Sequence, residues 1–264
     1  MKLNISRDAR PQVRTLLIAT LITLALWFIP YAEILTYPFR IFVTFIHEGG
    51  HAIAALLTGN TVASLSVAMN ASGETYTTQG GMFSQIFVSS AGYLGAMAYG
   101  ALLLVLIRRA VASRIVLLGS AALILLLTTI YGVWKPLSSG LWAHFSLFTL
   151  VAGIVLSLGL VAIARYSSAR TASFFVSFLA VQCILNALSD LKTVFFLSSP
   201  FGGAGVQTDA VNMANATGIP SMFWAILWIG IALTILSTAM RVYAVSKHGS
   251  AKQQDLPFED PLEV

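Results

Sequence analysis

Long apolar stretches constrain this chain more than any other feature of its sequence. Seven of them have roughly the length that crosses a bilayer as a helix, and charged or turn-forming residues separate them. They are Thr15–Tyr31, Ile34–Leu57, Ser84–Ile107, Ile115–Trp134, Leu141–Ala164, Ala172–Leu197 and Ser221–Tyr243. Backbone groups in lipid must be paired internally, so stretches of this kind must be helical. The sequence therefore predicts an all-α polytopic membrane protein with about seven transmembrane helices.

The composition agrees with a membrane protein. Of 264 residues, 57% are hydrophobic and only 9% are charged, whereas soluble domains carry about 25% charged residues. The formal net charge is +5, and the basic residues cluster at segment ends, which suits contact with the headgroups of a lipid bilayer. No basic surface with interleaved aromatic residues is present, so we expect no nucleic-acid partner. The one cysteine, Cys183, excludes an intrachain disulfide.

The chain is predicted to form a single integral membrane domain, residues 1–246, followed by a tail. The tail, residues 247–264, is polar and contains proline, so we expect it to be disordered. Basic residues precede the first apolar stretch, as they do in a signal peptide. The segment Pro30–Glu33 is a poor cleavage site, however, and we therefore expect an uncleaved first helix.

A polar segment between the second and third apolar stretches predicts a short β-hairpin. Residues Thr61–Val67 alternate partly, and Glu74–Thr78 is rich in strand-forming residues. Asn70–Gly73, between them, is typical of a turn. Such a strand could pair with an extended peptide, while the alternative is a plain connecting loop.

The second apolar stretch carries the residues that point most directly to chemistry. His47 and His51 are four residues apart, so on a helix both side chains project from one face and can reach the same metal ion. Glu48 follows the first histidine and is close enough to handle a proton. This His-Glu-x-x-His pattern is typical of zinc metalloproteases, in which the glutamate is the general base. Ionisable residues inside an apolar helix are costly and indicate function.

A catalytic zinc ion usually has a third protein ligand. Asp190 is the preferred candidate, because it lies within an apolar helix, and Asn186 one turn earlier could hydrogen-bond a ligand or a substrate carbonyl. An ion pair of Asp190 with Lys192 or Lys135 is the structural alternative. Asp209 is the alternative third ligand, although it could also be a helix N-cap.

The same topology predicts where the site lies in the membrane. With seven spans, the second and sixth helices run in the same direction, and the histidines and Asp190 lie in the later halves of these helices. The basic N-terminus favours a cytoplasmic location for that face. The distribution of lysine and arginine over the remaining segment ends leaves the orientation open.

Together these residues resemble a known family. The segments Phe45–Ala52 and Thr58–Val62 are similar to those of the site-2 protease family of intramembrane zinc metalloproteases, in its compact peptidase-like branch. Softer matches extend over residues 40 to 230 and are Ser90–Gly95, Asn186–Asp190, Thr208–Ala210 and Thr217–Pro220 with Trp224.

The resemblance implies a Zn²⁺ ion held by His47, His51 and an aspartate on a later helix, here matched by Asp190, with Glu48 as general base. It implies hydrolysis of peptide bonds in membrane protein or peptide substrates. The better-known members carry a Leu-Asp-Gly signature, and Leu188–Leu191 lacks its glycine. The alternative function is therefore a catalytically inactive, protease-like membrane scaffold or binding protein. A transporter is disfavoured, because no internal repeat is visible.

Overall fold

The computed structural model describes residues 10–109, 111–199 and 206–244. The structure is mainly helical, with one pair of strands. The helices are α1 (Arg10–Phe28), α2 (Glu33–Leu57), α3 (Met82–Arg108), α4 (Ser113–Leu127), α5 (Lys135–Ser138), α6 (Leu147–Tyr166), α7 (Ala169–Leu197), α8 (Asp209–Thr217) and α9 (Ser221–Ala244). The strands are β1 (Val62–Val67) and β2 (Gly73–Thr77). The predicted tail, residues 247–264, lies outside the described residues.

Each of the seven predicted apolar stretches contains a helix, but within the described residues five helices are long and apolar enough to cross a membrane. These are Met82–Arg108, Ser113–Ser138, Leu147–Tyr166, Ala169–Leu197 and Ser221–Val242. In the second stretch, α2 carries Glu33, Arg40, Glu48 and two histidines, which reduce its hydropathy. The polytopic helical architecture is therefore confirmed, and the count of seven spans is not.

Helix α3 lies at the centre of the described structure. It packs against α2, α7, α8 and α9, while α4 packs against α6. Large apolar side chains fill the space between these helices, and those that are almost completely buried include Phe42, Phe45, Met97, Leu104 and Trp228. This packing places the second half of α2 between α3 and the hairpin, in the interior of the protein.

Glycine residues on α3 allow neighbouring helices to approach closely. The sequence predicts close packing along the stripe Gly92, Ala96 and Gly100, because these small residues recur every four positions. A Cβ atom at Gly100 would lie 2.8 Å from Ile184 and 3.0 Å from the carbonyl oxygen of Ala180, both on α7. The end of the stripe at Gly100 therefore packs against α7.

The hairpin predicted after the second helix is confirmed. Strands β1 and β2 are antiparallel, and their pairs include Val67 with Gly73 and Leu65 with Thr75. The side chain of Asn70 stabilises the turn by accepting hydrogen bonds from the backbone N–H and the hydroxyl group of Ser72. The hairpin packs against α2, and its strand β1 also packs against the segment Thr128–Trp134 that follows α4.

A π-helix, Thr128–Trp134, continues α4 and leads into α5. It contacts β1, and a Cβ atom at Gly132 would lie 3.6 Å from the carbonyl oxygen of Leu65. An extra residue per turn widens the helix at this point. The π-helix therefore packs against the first strand of the hairpin.

Candidate metal centre

Three side chains that can bind a metal ion converge on one point. His47 and His51 project from the same face of α2, and their Nε2 atoms are 3.1 Å apart. Asp209, the first residue of α8, places its Oδ2 atom 3.4 Å from each of these nitrogens. Both histidines are shielded from solvent, since their side chains are 16% and 9% exposed.

The spacing of the three atoms suits a tetrahedral metal ion. Donor atoms at about 2.0–2.2 Å from a tetrahedral zinc ion are roughly 3.3–3.6 Å from one another. The three donors have mutual distances of 3.1 to 3.4 Å. Two imidazole nitrogens and one carboxylate oxygen are also a donor set that zinc accepts in catalytic sites, in which a fourth position stays open. The residues present therefore fit the zinc ion that the motif implies.

The second nitrogen of His51 is oriented by α3. Its Nδ1 atom lies 2.7 Å from the carbonyl oxygen of Val88, which can only accept, so Nδ1 donates the hydrogen. The neutral ring then has its lone pair on Nε2, which points towards Asp209 and His47. A backbone carbonyl that fixes the tautomer of a histidine in this way is a common partner of metal-binding histidines.

Asp209 is held in the ionised form that binds cations. Burial by itself raises the pKa of its carboxyl group, but when the imidazoles of His51 and His47 are protonated, their charge and hydrogen bonds outweigh burial and lower the pKa well below its usual range. The start of α8 contributes as well, since Thr208 caps the helix by accepting the N–H of Val211. A helix N-terminus favours negative charge.

The backbone of α3 packs closely against the two histidines and against α2. A Cβ atom at Gly92 would overlap the His47 ring and would lie 2.5 Å from Nε2 of His51. A Cβ atom at Gly50 would similarly overlap the carbonyl group of Ala91. The ring of Tyr93 packs edge-on against His47, with 4.7 Å between centroids. Glycine at position 92 therefore leaves the space that the two imidazoles occupy.

Two other predicted site residues, Asp190 and Asn186, lie on α7, in the wall of a cavity that the two histidines also line. Asp190 lines this cavity but does not belong to the group of His47, His51 and Asp209. Asn186 also lines it, and its amide donates to the backbone oxygen and side-chain oxygen of Gln182. The structure thus brings the alternative ligand Asp209, rather than Asp190, into contact with both histidines.

The predicted general base, Glu48, is 5% exposed and contacts β2. Its Oε2 atom accepts a hydrogen bond of 2.6 Å from the hydroxyl group of Thr75. Its other oxygen packs against Gly73, where a Cβ atom would lie 2.5 Å from Oε1. Contacts with Thr75 and Gly73 of β2 therefore hold the carboxylate of Glu48 in place.

The outer edges of the hairpin differ. On β1, the N–H of Val67 donates to the hydroxyl oxygen of Thr149 (2.9 Å), and that hydroxyl group donates to the carbonyl oxygen of Val67 (3.1 Å). Backbone groups in an antiparallel pair alternate between facing the partner strand and facing away. Since those of Val67 face away from β2, those of its partner Gly73, and of Thr75 two residues later, face away from β1. This free edge of β2 borders the cavity.

The cavity itself is large and mostly lined by polar groups. Its volume is about 970 Å³, and its walls come from α2, the hairpin, α3, α7 and α8. The three candidate metal-binding side chains and Glu48 lie in the same cavity as this edge of β2. A peptide segment in extended conformation could therefore reach the metal centre and the strand together.

Two contacts of the site were not predicted from the sequence. Thr75 was identified only as part of a strand, and Val88 was not identified at all. Nothing in the local sequence pattern marks them, because each acts on α2 through a tertiary contact. Gly92 was predicted to serve helix packing, and it does so directly beside the histidines.

Comparisons with known proteins point to one family. A family model described as Peptidase M50B-like matches residues 17–239, which is most of the chain. Neither the curated proteins nor the solved structures gave a match.

Proposed function

Because the chain belongs to the Peptidase M50B-like family of site-2 proteases, we propose that it is an intramembrane zinc metalloprotease. It would hydrolyse peptide bonds of membrane-associated protein or peptide substrates. The observation that carries this proposal is the convergence of His47 and His51 of α2 with Asp209 of α8. Glu48 follows His47 on α2.

We propose that His47, His51 and Asp209 hold the zinc ion. When bound, zinc polarises a carbonyl group and lowers the pKa of water. Asp209 is chosen over Asp190 because its carboxylate oxygen, 3.4 Å from both imidazole nitrogens, has the spacing that a shared ion requires. Asp190 remains within the same cavity, where it faces the substrate space.

Glu48 acts as the general base. Its carboxylate accepts a proton from a water molecule and passes it to the amine that leaves when the peptide bond breaks. The small solvent exposure of Glu48 favours this role, since electrostatic interactions are stronger in a site of low dielectric constant.

The substrate is proposed to bind in extended form. A peptide in a helix has its carbonyl groups occupied, so the segment to be cleaved must first unwind. The free backbone groups of Gly73 and Thr75 could then pair with it by adding a strand to the hairpin. Asn186, on the opposite wall, is proposed to hold a backbone group of the substrate.

Metal analysis and cleavage assays test this proposal. We expect the purified protein to contain about one zinc ion per chain. Protein in liposomes should cleave a fluorescent single-span reporter or labelled casein, and Glu48→Gln should lose cleavage while retaining zinc. Equal cleavage by Glu48→Gln and the wild type would contradict the mechanism, and a folded protein that cannot be loaded with zinc would contradict the site.

A second candidate function is a membrane scaffold that no longer cleaves. It is motivated by Leu188–Leu191, which departs from the signature of the better-known members of the family. A scaffold would bind its partners equally well after the Glu48→Gln substitution. We also propose that the site lies nearer the cytoplasmic face, which labelling of single-cysteine variants on the hairpin from either side of the membrane would test.

A further inference from the structure

We propose that Thr75 is a positioning residue that connects substrate docking on β2 with the orientation of Glu48. The inference rests on the proposed function, because it concerns the base of that reaction. It is carried by one residue that contacts Glu48 with its side chain and presents its backbone to the cavity.

The first observation is the bond between the side chains. The hydroxyl group of Thr75 lies 2.6 Å from Oε2 of Glu48 and 3.2 Å from the backbone oxygen of the same residue. A hydroxyl group has one hydrogen to donate, so the shorter contact, to the carboxylate, is the principal bond. Hydrogen bonds to an ionised group are shorter and about twice as strong as neutral ones. The bond therefore restricts the rotation of the Glu48 carboxylate.

The second observation is the close approach of Gly73. Besides Oε1 of Glu48 at 2.5 Å, a Cβ atom at this position would meet Cγ of Glu48 at 2.6 Å and the Thr44 methyl group at 2.7 Å. Only a residue without a side chain lets β2 lie directly on the glutamate. Both carboxylate oxygens of Glu48 are thus in contact with the strand.

The third observation is that the hairpin is fixed along α2 before it reaches Glu48. The hydroxyl group of Tyr37 donates to the carbonyl oxygen of Met69 (2.6 Å), and that of Thr44 donates to the carbonyl oxygen of Ala71 (2.8 Å). The Thr75–Glu48 bond is the next contact along the same helix, and the one that reaches the catalytic group.

The fourth observation is the direction of the Thr75 backbone. Its N–H and C=O groups face away from β1, and within the described chain neither forms a hydrogen bond on the cavity side. A peptide that adds a strand to β2 would bond to these groups. Binding of the peptide would then restrict the motion of Thr75, whose side chain orients the carboxylate of Glu48. The general base would therefore be best oriented when substrate is bound along the outer edge of β2.

Kinetic measurements on three variants test the inference. Thr75→Val keeps the shape of the side chain and removes the hydroxyl group, Thr75→Ser restores the hydroxyl group, and Thr77→Val is the matched control two residues along the same strand. Thr77 carries the same side chain but forms no hydrogen bond with Glu48. The probe is a single-span reporter protein with a fluorescent label, incorporated with the enzyme in liposomes.

We expect Thr75→Val to lower kcat by about 10-fold or more, because a hydrogen bond to a charged group is lost. KM should change by less than about 3-fold, since the backbone edge remains, and zinc content should be unchanged. Thr75→Ser should recover most of kcat, and Thr77→Val should resemble the wild type. A fall in kcat that serine does not recover, or an unchanged kcat in Thr75→Val, would overturn the inference.

Thermal unfolding supplies a measurement that does not depend on cleavage. If the hydroxyl group acts through the carboxylate, Thr75→Val should lower the unfolding midpoint in the wild-type background and have a smaller effect in the Glu48→Gln background. Equal shifts in both backgrounds would overturn the inference.

The same experiments separate the inference from the proposed function. If Glu48→Gln cleaves the reporter as well as the wild type does, the proposed function fails and the inference fails with it. If Glu48→Gln is inactive and Thr75→Val is fully active, only the inference fails.

Discussion

At the scale of single residues, the choice between two aspartates decides how the metal centre is built. Asp209 and Asp190 both line the cavity, but only Asp209 has an oxygen within 3.4 Å of the histidine nitrogens. Loss of a residue that merely supports a ligand typically weakens metal binding 10- to 100-fold. Loss of a ligand itself should cost at least as much.

The first prediction compares the two aspartates. We expect Asp209→Asn to weaken zinc binding by at least about 100-fold, since one of the three proposed protein ligands loses its charge. Asp190→Asn, the matched control, should retain close to one zinc ion per chain. Zinc titration with a competing chelator measures both. The reverse result, with Asp190→Asn losing zinc, would identify Asp190 as the ligand.

The second prediction concerns Gly92. An alanine there would bring Cβ to 2.5 Å from Nε2 of His51, so the two rings must move and zinc binding should fall by about 10-fold or more. Gly95→Ala is the control, because its Cβ would lie at an ordinary 3.5 Å from Gly50. Zinc content after dialysis would distinguish them, and equal occupancy in both variants would contradict the prediction.

At the scale of elements, the hairpin depends on a side chain from α6. Thr149 is fully buried, and its hydroxyl group satisfies both backbone groups of Val67. Without it, a buried donor and a buried acceptor would lack partners, at a cost of about 1–3 kcal/mol each. The side chain thus occupies the position that a third strand would otherwise take.

The third prediction follows from this contact. Thr149→Val should increase the hydrogen–deuterium exchange of the Val67 amide by about 10-fold or more, because its bond is lost. Thr149→Ser keeps the hydroxyl group and should exchange like the wild type. Mass spectrometry of peptides covering β1 measures the rate, and equal exchange in Thr149→Val and the wild type would show that the bond contributes nothing.

The elements also show which features the sequence could predict. The hairpin was predicted because alternation and a turn signal are local, and the two histidines because helical spacing alone places them together. The sequence favoured Asp190 over Asp209 as the third ligand and could not show that Asp209 lies beside the histidines, since Asp209 reaches α2 only through the packing of α8 against α3. The role of Thr75 could not be predicted for the same reason, because nothing in the local sequence distinguishes the threonine that contacts Glu48 from the other threonines of the strand.

At the scale of the whole molecule, the metal centre joins segments that are distant in the chain. His47 and His51 come from α2, and Asp209 comes from α8 after four intervening membrane-length helices. An ion that binds only the folded state stabilises it according to its concentration and affinity. If zinc binds there as proposed, we therefore expect the ion to help hold α8 against α2 and α3.

The fourth prediction is that zinc removal destabilises the fold. We expect a chelator to lower the midpoint of thermal unfolding in detergent by roughly 5–15 °C, and added zinc to restore it. His47→Ala should show a low midpoint that neither reagent changes. If the chelator had no effect on a wild-type protein proven to contain zinc, the centre would not support the fold.

Because Thr149 occupies the outward backbone groups of Val67 and the π-helix packs against β1, we expect any chain that the sheet captures to lie beside β2. The side chains of such a captured segment would alternate between two directions. Alternate residues of a strand point to opposite sides, so odd and even positions of the substrate would meet different surroundings. Residue preferences around the scissile bond should then repeat at every second position. Inserting one residue between a preferred residue and the scissile bond should abolish cleavage, and inserting two should restore it.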